Sequence, residues 1–147
     1  MIGLLQRVRE ARVEIAGEVV GRMDHGLLVL VCAEPADTAS TAERFVDKVL
    51  KLRVFADGDG RMNRSVVDVG GGLLVVSQFT LAADTRSGNR PGFSAAAPPV
   101  QGRALYEEVL RSARARHAPV ASGRFGADMQ VHLVNDGPVT IPLRIEG

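Results

Sequence analysis

Residues 70–93, GGGLLVVSQFTLAADTRSGNRPGF, decide how the rest of the chain is read. Leu73 to Val76 is an unbroken run of strand-forming residues launched by three glycines, which is how a strand buried on both faces looks. The run continues into Ser77, Gln78 and Thr80, whose hydroxyls and amide need partners inside any buried strand. After Ala83 the chain turns polar and basic, with Asp84, Arg86, Asn89 and Arg90 among Gly88, Pro91 and Gly92, which reads as a loop. Polar groups at a strand end beside a glycine-rich, arginine-bearing loop predict a binding site.

Upstream, Met1 to Val8 and Ala11 to Ile15 read as two strands, the second alternating Ala11, Val13 and Ile15 against Arg12 and Glu14. Gly17 and Gly21 punctuate a hairpin, and Leu27 to Val31 is a further apolar strand closed by Glu34-Pro35. From Thr38 the period changes. Ala42, Phe45, Val46, Val49 and Leu52 share a helical face opposite Glu43, Arg44, Asp47, Lys48 and Lys51, with Asp37 or Thr38 as the cap. Asp57-Gly58-Asp59-Gly60 has the flavour of a calcium loop. Such a loop wants glycine at its sixth position and a bidentate acid at its twelfth; here those are Met62 and Asp68, so the stretch predicts a tight turn. Ser65 to Val69 reads as a short strand.

Downstream, Pro98 and Pro99 introduce a second helix over roughly 101–116, burying Leu105, Val109, Ala113 and Leu110, with Glu107 and Arg111 paired at i,i+4. Gly123 to Asp128 is turn-rich and carries one exposed-looking aromatic, Phe125. Met129, Val131 and Leu133 then alternate as a half-buried strand that ends at Asn135-Asp136-Gly137-Pro138, and Val139 to Ile145 is a last strand. Strands occur in runs without regular βαβ alternation. The class is therefore α+β: one domain over 1–147 with a largely antiparallel or mixed β-sheet, barrel- or sandwich-like, and two amphipathic helices.

Composition narrows the setting. With 147 residues, 46% hydrophobic and 24% charged, the chain has the size and balance of one globular domain, and no apolar run nears the roughly 18 residues of a membrane span. The start, MIGLLQRVRE, lacks the charge pattern of a secretion signal, and the one cysteine, Cys32, reads as a buried thiol in a reducing cytoplasm. The net charge of +1 neither demands nor forbids a nucleic-acid partner. The cations are almost all arginine, which suits phosphate recognition and equally a GC-rich coding bias.

Several chemistries find no support in the spacing. His25, His117 and His132 form no metal-ligand pair, no Gly-x-Ser-x-Gly elbow surrounds Ser65, Ser77 or Ser94, and no phosphate-binding P-loop follows a strand. Ser77 or Thr80 is a possible nucleophile, but neither has a histidine or lysine nearby in sequence. Neither metal nor cofactor is expected.

Ser77-Gln78-Phe79-Thr80-Leu81 together with Asn135-Asp136-Gly137-Pro138-Val139-Thr140 closely resembles the D-aminoacyl-tRNA deacylases, proofreading enzymes that cleave the ester joining a D-amino acid to tRNA. The likeness spans nearly the whole chain. It includes Gln6-Arg7-Val8, Lys51 to Phe55, Arg61-Met62-Asn63, Arg90-Pro91 with Phe93, and Gly123 through Met129. Arg61 stands where the family often has lysine, and Gly92 where serine is common; neither touches the two main motifs.

The resemblance implies a cytoplasmic homodimer that takes the 3′ end of aminoacyl-tRNA, with no membrane and no other obligate protein partner. Ser77, Gln78, Phe79 and Thr80 are then the catalytic stretch, and Gly137 and Pro138, joined by a cis bond, enter the site from the partner subunit and reject L-amino acids by shape. Arg7 braces that loop through its carbonyls, while Phe125, Gly126 and Met129 hold the terminal adenosine. The glycyl group, being achiral, passes the same filter. Hydrolysis is assisted by the RNA 2′-hydroxyl and backbone N–H groups near Phe79 and Thr80. Thr80 is left open between nucleophile and orienting hydroxyl. Two other classes stay in view: an esterase or peptidase for small molecules, and a non-catalytic RNA-end binder.

Overall fold

The computed structural model describes all residues 1–147. Its axis is β1 (Ile2–Ile15), a single 14-residue strand where the sequence suggests two. The apparent break at Arg9-Glu10 is a bulge: Val8 faces Asn135 and Glu10 faces Val134, leaving Arg9 as an extra residue in an unbroken strand. Along one edge β1 pairs antiparallel with β2 (Glu18–Met23) and β3 (Gly26–Cys32); along the other it pairs with β8 (Gln130–Arg144). Beyond β3 lie β6 (Gly72–Ser77) and β7 (Val120–Ser122), both parallel to their neighbours, so the sheet is mixed. Its two ends approach each other. A Cβ on Gly21 of β2 would lie 2.3 Å from the Ser122 carbonyl of β7, so only glycine permits the near-closure into a barrel.

Both faces of β3 and β6 are buried, which is why these strands are continuously apolar. Leu27, Val29, Val31, Leu73 and Val75 face the helices α1 (Ala39–Lys51) and α2 (Pro99–Arg116), while Leu28, Leu74 and Val76 point into the barrel with Val8, Ala11 and Val13. The α1 helix buries Ala42, Phe45, Val46 and Val49 as the periodicity predicts, with Leu50 completing the face and Leu52 serving as the C-cap. Thr38 caps its start in a reciprocal pair with Thr41. Phe45 packs closely over Gly3 of the sheet because Gly3 has no side chain; a Cβ there would come within 2.6 Å of the ring.

Three local expectations are corrected. Ser65 to Val69 is a turn, not a strand, because Ser65 and Asp68 satisfy each other's backbone N–H groups and compete with any ladder. Arg111 pairs with Glu108 and, at 3.5 Å, with Glu43 of α1, while Glu107 faces solvent. The chain from Asn135 to Val139 does not separate two strands: β8 is continuous, and Asp136 to Val139 bulge opposite Arg7 alone. The turn at Asp57 does form as expected, with Asp57 Oδ1 accepting from the N–H groups of Asp59 and Arg61 between the short strands β4 (Phe55–Ala56) and β5 (Met62–Arg64). No helix is long and apolar enough to cross a membrane.

Behind β6, the buried Tyr106 hydroxyl donates to the Val75 carbonyl at 2.8 Å, and burial pushes its pKa up to about 12, so it remains a neutral donor. Val75 O also accepts from Gly123 N–H at 3.2 Å, so it stays partnered without the hydroxyl. Tyr106→Phe is therefore expected to lower unfolding stability by only about 1 kcal/mol, read as a shift of the urea midpoint at constant slope.

Candidate active site

The parallel strands β3 and β6 end side by side, and a cavity of about 650 Å³ opens at those ends. Its walls come from three directions: Ser77, Gln78 and Phe79 from the end of β6; Pro98, Pro99 and Gly102 from the start of α2; and Phe125 to Met129 from the segment before β8. The lining is mostly apolar with a few polar groups, the usual character of a small-molecule pocket.

The strand does not run on through Thr80 as its alternation suggests. Gln78 N–H makes the last bond of the ladder, to Val31 O at 2.8 Å, and the chain then coils into a single 3-10 turn, Phe79–Ala82. This turn resolves the question of unpaired polar groups. Gln78 Nε2 donates to the Thr80 hydroxyl, Ser77 and Gln78 are half-buried at the cavity, and Thr80 is exposed outside the lining. At the head of the turn the N–H groups of Phe79 and Thr80 have no acceptor within it, and no side chain caps it. Phe79 stands 56% exposed at the rim, edge-on to Phe93 with centroids 5.1 Å apart.

No histidine or lysine reaches Ser77 or Thr80. His25 lies against Phe55, His117 bonds to Gly71 O at 2.7 Å, and His132 sits between Arg12 and Glu14. Cys32 lines the cavity floor, with its Sγ 3.6 Å from Phe79 O; burial pushes the thiol pKa up, which keeps it protonated and poorly nucleophilic.

Phe125, expected to be exposed, is half-buried. Its ring packs 6.1 Å from Tyr106 and carries the Arg103 guanidinium 4.8 Å above its centroid. Met129 fits beside it because Gly123 has no side chain; a Cβ there would lie 2.6 Å from the Met129 sulfur. Thus Ser77, Gln78 and Phe79 share one cavity with Phe125, Gly126 and Met129.

Gly137, Pro138 and Arg7 are elsewhere. Ser77 faces Val31, which faces Gly3, so Arg7 is offset from Ser77 by two strand spacings of about 5 Å and by about 13 Å along the strands. At the bulge, the Gly137–Pro138 peptide bond is cis, as is Ala118–Pro119, and both Gly137 and Pro138 are exposed. Arg7 Nε donates to Asp136 O at 3.2 Å, while its Nη1 donates to Val54 O at 2.8 Å, so Arg7 holds one loop carbonyl and ties the loop to the segment that follows α1. Reading the sequence assigns Asn135 no role, yet its amide clips the bulge shut by donating to both Arg7 O and Val139 O at 3.0 Å. Its place in the Asn-Asp-Gly-Pro turn was the available signal, since Asn side chains commonly bond local backbone.

The family model for D-Tyr-tRNA(Tyr) deacylase matches residues 4–144. A protein of Paracidovorax citrulli named D-aminoacyl-tRNA deacylase is 70% identical over 99% of this chain and 94% of its own length. One of the same name from Pseudomonas putida strain F1 is 66% identical over 99% of this chain and 100% of its own. Among solved structures, the c-Myc DNA Unwinding Element Binding Protein superposes over 100% of both chains with a TM-score of 0.94 and 40% identity. A probable eukaryotic D-amino acid tRNA deacylase covers 97% of each chain with a TM-score of 0.85 at 17% identity, a likeness of fold.

Proposed function

The chain belongs to the D-Tyr-tRNA(Tyr) deacylase family, and from this premise we propose how it hydrolyses D-aminoacyl-tRNA. Two copies pair so that the Gly137-Pro138 bulge of each enters the cavity of the other, and the site is complete only in the dimer. The observation that carries this reading is the separation within one chain. An exposed, rigidly clipped loop sits about 13 Å along the strands from a cavity that it cannot reach in its own protomer.

In that arrangement the terminal adenosine packs against Phe125, Gly126 and Met129, and the aminoacyl ester points toward Ser77, Gln78 and the turn at Phe79. The partner's loop presents main chain, not side chains, to the α-carbon. Backbone held by Arg7 and Asn135 yields little, so an L side chain pointing at it is rejected sterically while a D side chain points away. Glycine has no side chain to reject, so glycyl-tRNA is also cleaved.

Chemistry then falls to water and the RNA. Water adds to the ester carbonyl; its proton passes through the adenosine 2′-hydroxyl to the departing 3′-oxygen, giving the free amino acid and intact tRNA. The N–H groups of Phe79 and Thr80, left without partners at the head of their turn, receive the developing oxyanion. Gln78 fixes the Thr80 hydroxyl, which orients and does not attack. Such proofreading belongs in the cytoplasm, where charged tRNA is used.

A deacylation assay with D-tyrosyl-, L-tyrosyl- and glycyl-tRNA tests the reading. D-tyrosyl- and glycyl-tRNA are expected to be hydrolysed and L-tyrosyl-tRNA spared by at least about two orders of magnitude, the scale that a steric clash of a few kcal/mol supplies. Binding without hydrolysis of D-tyrosyl-tRNA defeats it in favour of a passive RNA-end binder; an acyl group trapped on Ser77 or Thr80 defeats it in favour of a protein nucleophile.

A further inference from the structure

The cavity lining offers no cationic side chain, and its rim does. Asp128 is the one charged side chain among the lining residues, so the interior does not invite a phosphate. Just outside, Arg103 lies over Phe125 with its Cζ 4.8 Å from the ring centroid, on the second turn of α2. Its guanidinium makes no hydrogen bond or ion pair with any other group of the chain, unlike Arg7, Arg12, Arg86, Arg111 and Arg144, which all hold carboxylates. Arg124, next to Phe125 in the chain, is likewise exposed and unpaired.

We propose that Arg103 is the phosphate clamp for the terminal nucleotide, a subsite that marks the substrate as a nucleic acid and not as a simple ester. This rests on the reading of Phe125 as an adenosine contact. A nucleotide whose base packs against Phe125 carries its own phosphate close to any side chain laid over the same ring. A planar guanidinium suits that place: it stacks on the aromatic with its carbon face and still directs a fork of N–H donors outward to two phosphate oxygens. The stack also fixes the fork before RNA arrives, so little side-chain freedom is lost on binding. Arg124 adds positive potential at the same rim without that orientation.

The test compares two substrates across Arg103→Gln and Arg103→Lys: D-tyrosyl-tRNA, and 3′-O-D-tyrosyl-adenosine, which has the base, ribose and ester but no phosphate. Arg103→Gln is expected to raise KM for D-tyrosyl-tRNA about tenfold with kcat unchanged, and to flatten the salt dependence of log KM by about one unit of slope. KM for the adenosine ester is expected to stay at the wild-type value. Arg103→Lys, which keeps the charge, should regain most of the tRNA affinity. Equal losses on both substrates would mean that Arg103 merely holds Phe125 in place, and unchanged tRNA kinetics and salt slope would mean that it is a solvated surface cation; either overturns the proposal. Failure of the wild-type protein to hydrolyse D-tyrosyl-tRNA would instead strike at the functional reading itself, so the two failures are told apart.

Discussion

Gly137→Ala is expected to cut kcat/KM for D-tyrosyl-tRNA by about ten- to a hundredfold while lowering the thermal midpoint by no more than about ten degrees. The backbone there has φ of +127°, outside the range of an L side chain. An added Cβ would come within 2.9 Å of Val139 Cγ2, 3.0 Å of Arg7 Nη2 and 3.1 Å of Val139 N. The loop must therefore move or stay strained by roughly 1–3 kcal/mol, which corresponds to that loss of rate if the loop's position sets the catalytic geometry. The fold should lose no more than this strain, because Gly137 and Pro138 are exposed and belong to neither apolar cluster. A variant with wild-type rate and wild-type discrimination between D- and L-tyrosyl-tRNA would show that the loop has no part in the site. Sedimentation of wild type and variant at matched concentration reports whether pairing survives.

The second large effect lies in the substrate. D-tyrosyl-tRNA ending in 2′-deoxyadenosine is expected to be hydrolysed about 10² to 10⁴ times more slowly than its ribose counterpart, the range that a positioned proton-transfer group contributes. Thr80→Ala, in contrast, is expected to keep its rate within about fivefold, since one exposed hydroxyl bonded to Gln78 is all that it removes. Full activity on the deoxy ester would end the RNA-assisted scheme. Collapse of Thr80→Ala on the ribose ester, with Thr80→Ser restoring it, would hand the attack to the hydroxyl. Single-turnover rates separate both effects from binding.

The helices and central strands were legible in the sequence because each obeys one local rule. Phe45, Val46 and Val49 recur at the helical period, and Leu73 to Val76 is apolar without interruption because both of its faces are covered. The errors arise where a distant partner decides. Arg9-Glu10 looks like the gap between two strands, and only the pairing with Asn135 and Val134 makes it a bulge. Beyond Ser77 the polar alternation imitates a strand, and nothing local announces that the ladder stops at Gln78.

For the site, the Ser77 to Thr80 and Asn135 to Thr140 motifs carried the family. They could not tell that Phe125 packs beside Tyr106 with Arg103 over its ring, or that Asn135 holds the bulge closed, since both facts depend on residues far along the chain. Cys32 is a similar case. Its burial was readable from the apolar run around it, its proximity to the Phe79 carbonyl was not.

The bulge in β8 also has a counting property. Met129, Val131 and Leu133 enter the barrel interior, whereas Val139, Ile141 and Leu143 lie toward the helices, although all six positions are odd-numbered. Side chains on a strand change sides at every step, so six odd positions can serve two compartments only if an odd number of surplus residues intervenes. The pairings of Gln6 with Thr140 and of Val8 with Asn135 leave three. Shortening or lengthening this loop by a single residue would turn one half of the strand inside out, exposing one greasy set and burying its polar neighbours. Its length is therefore dictated by the interior of the protein, and only the identity of the residues at its tip escapes that constraint.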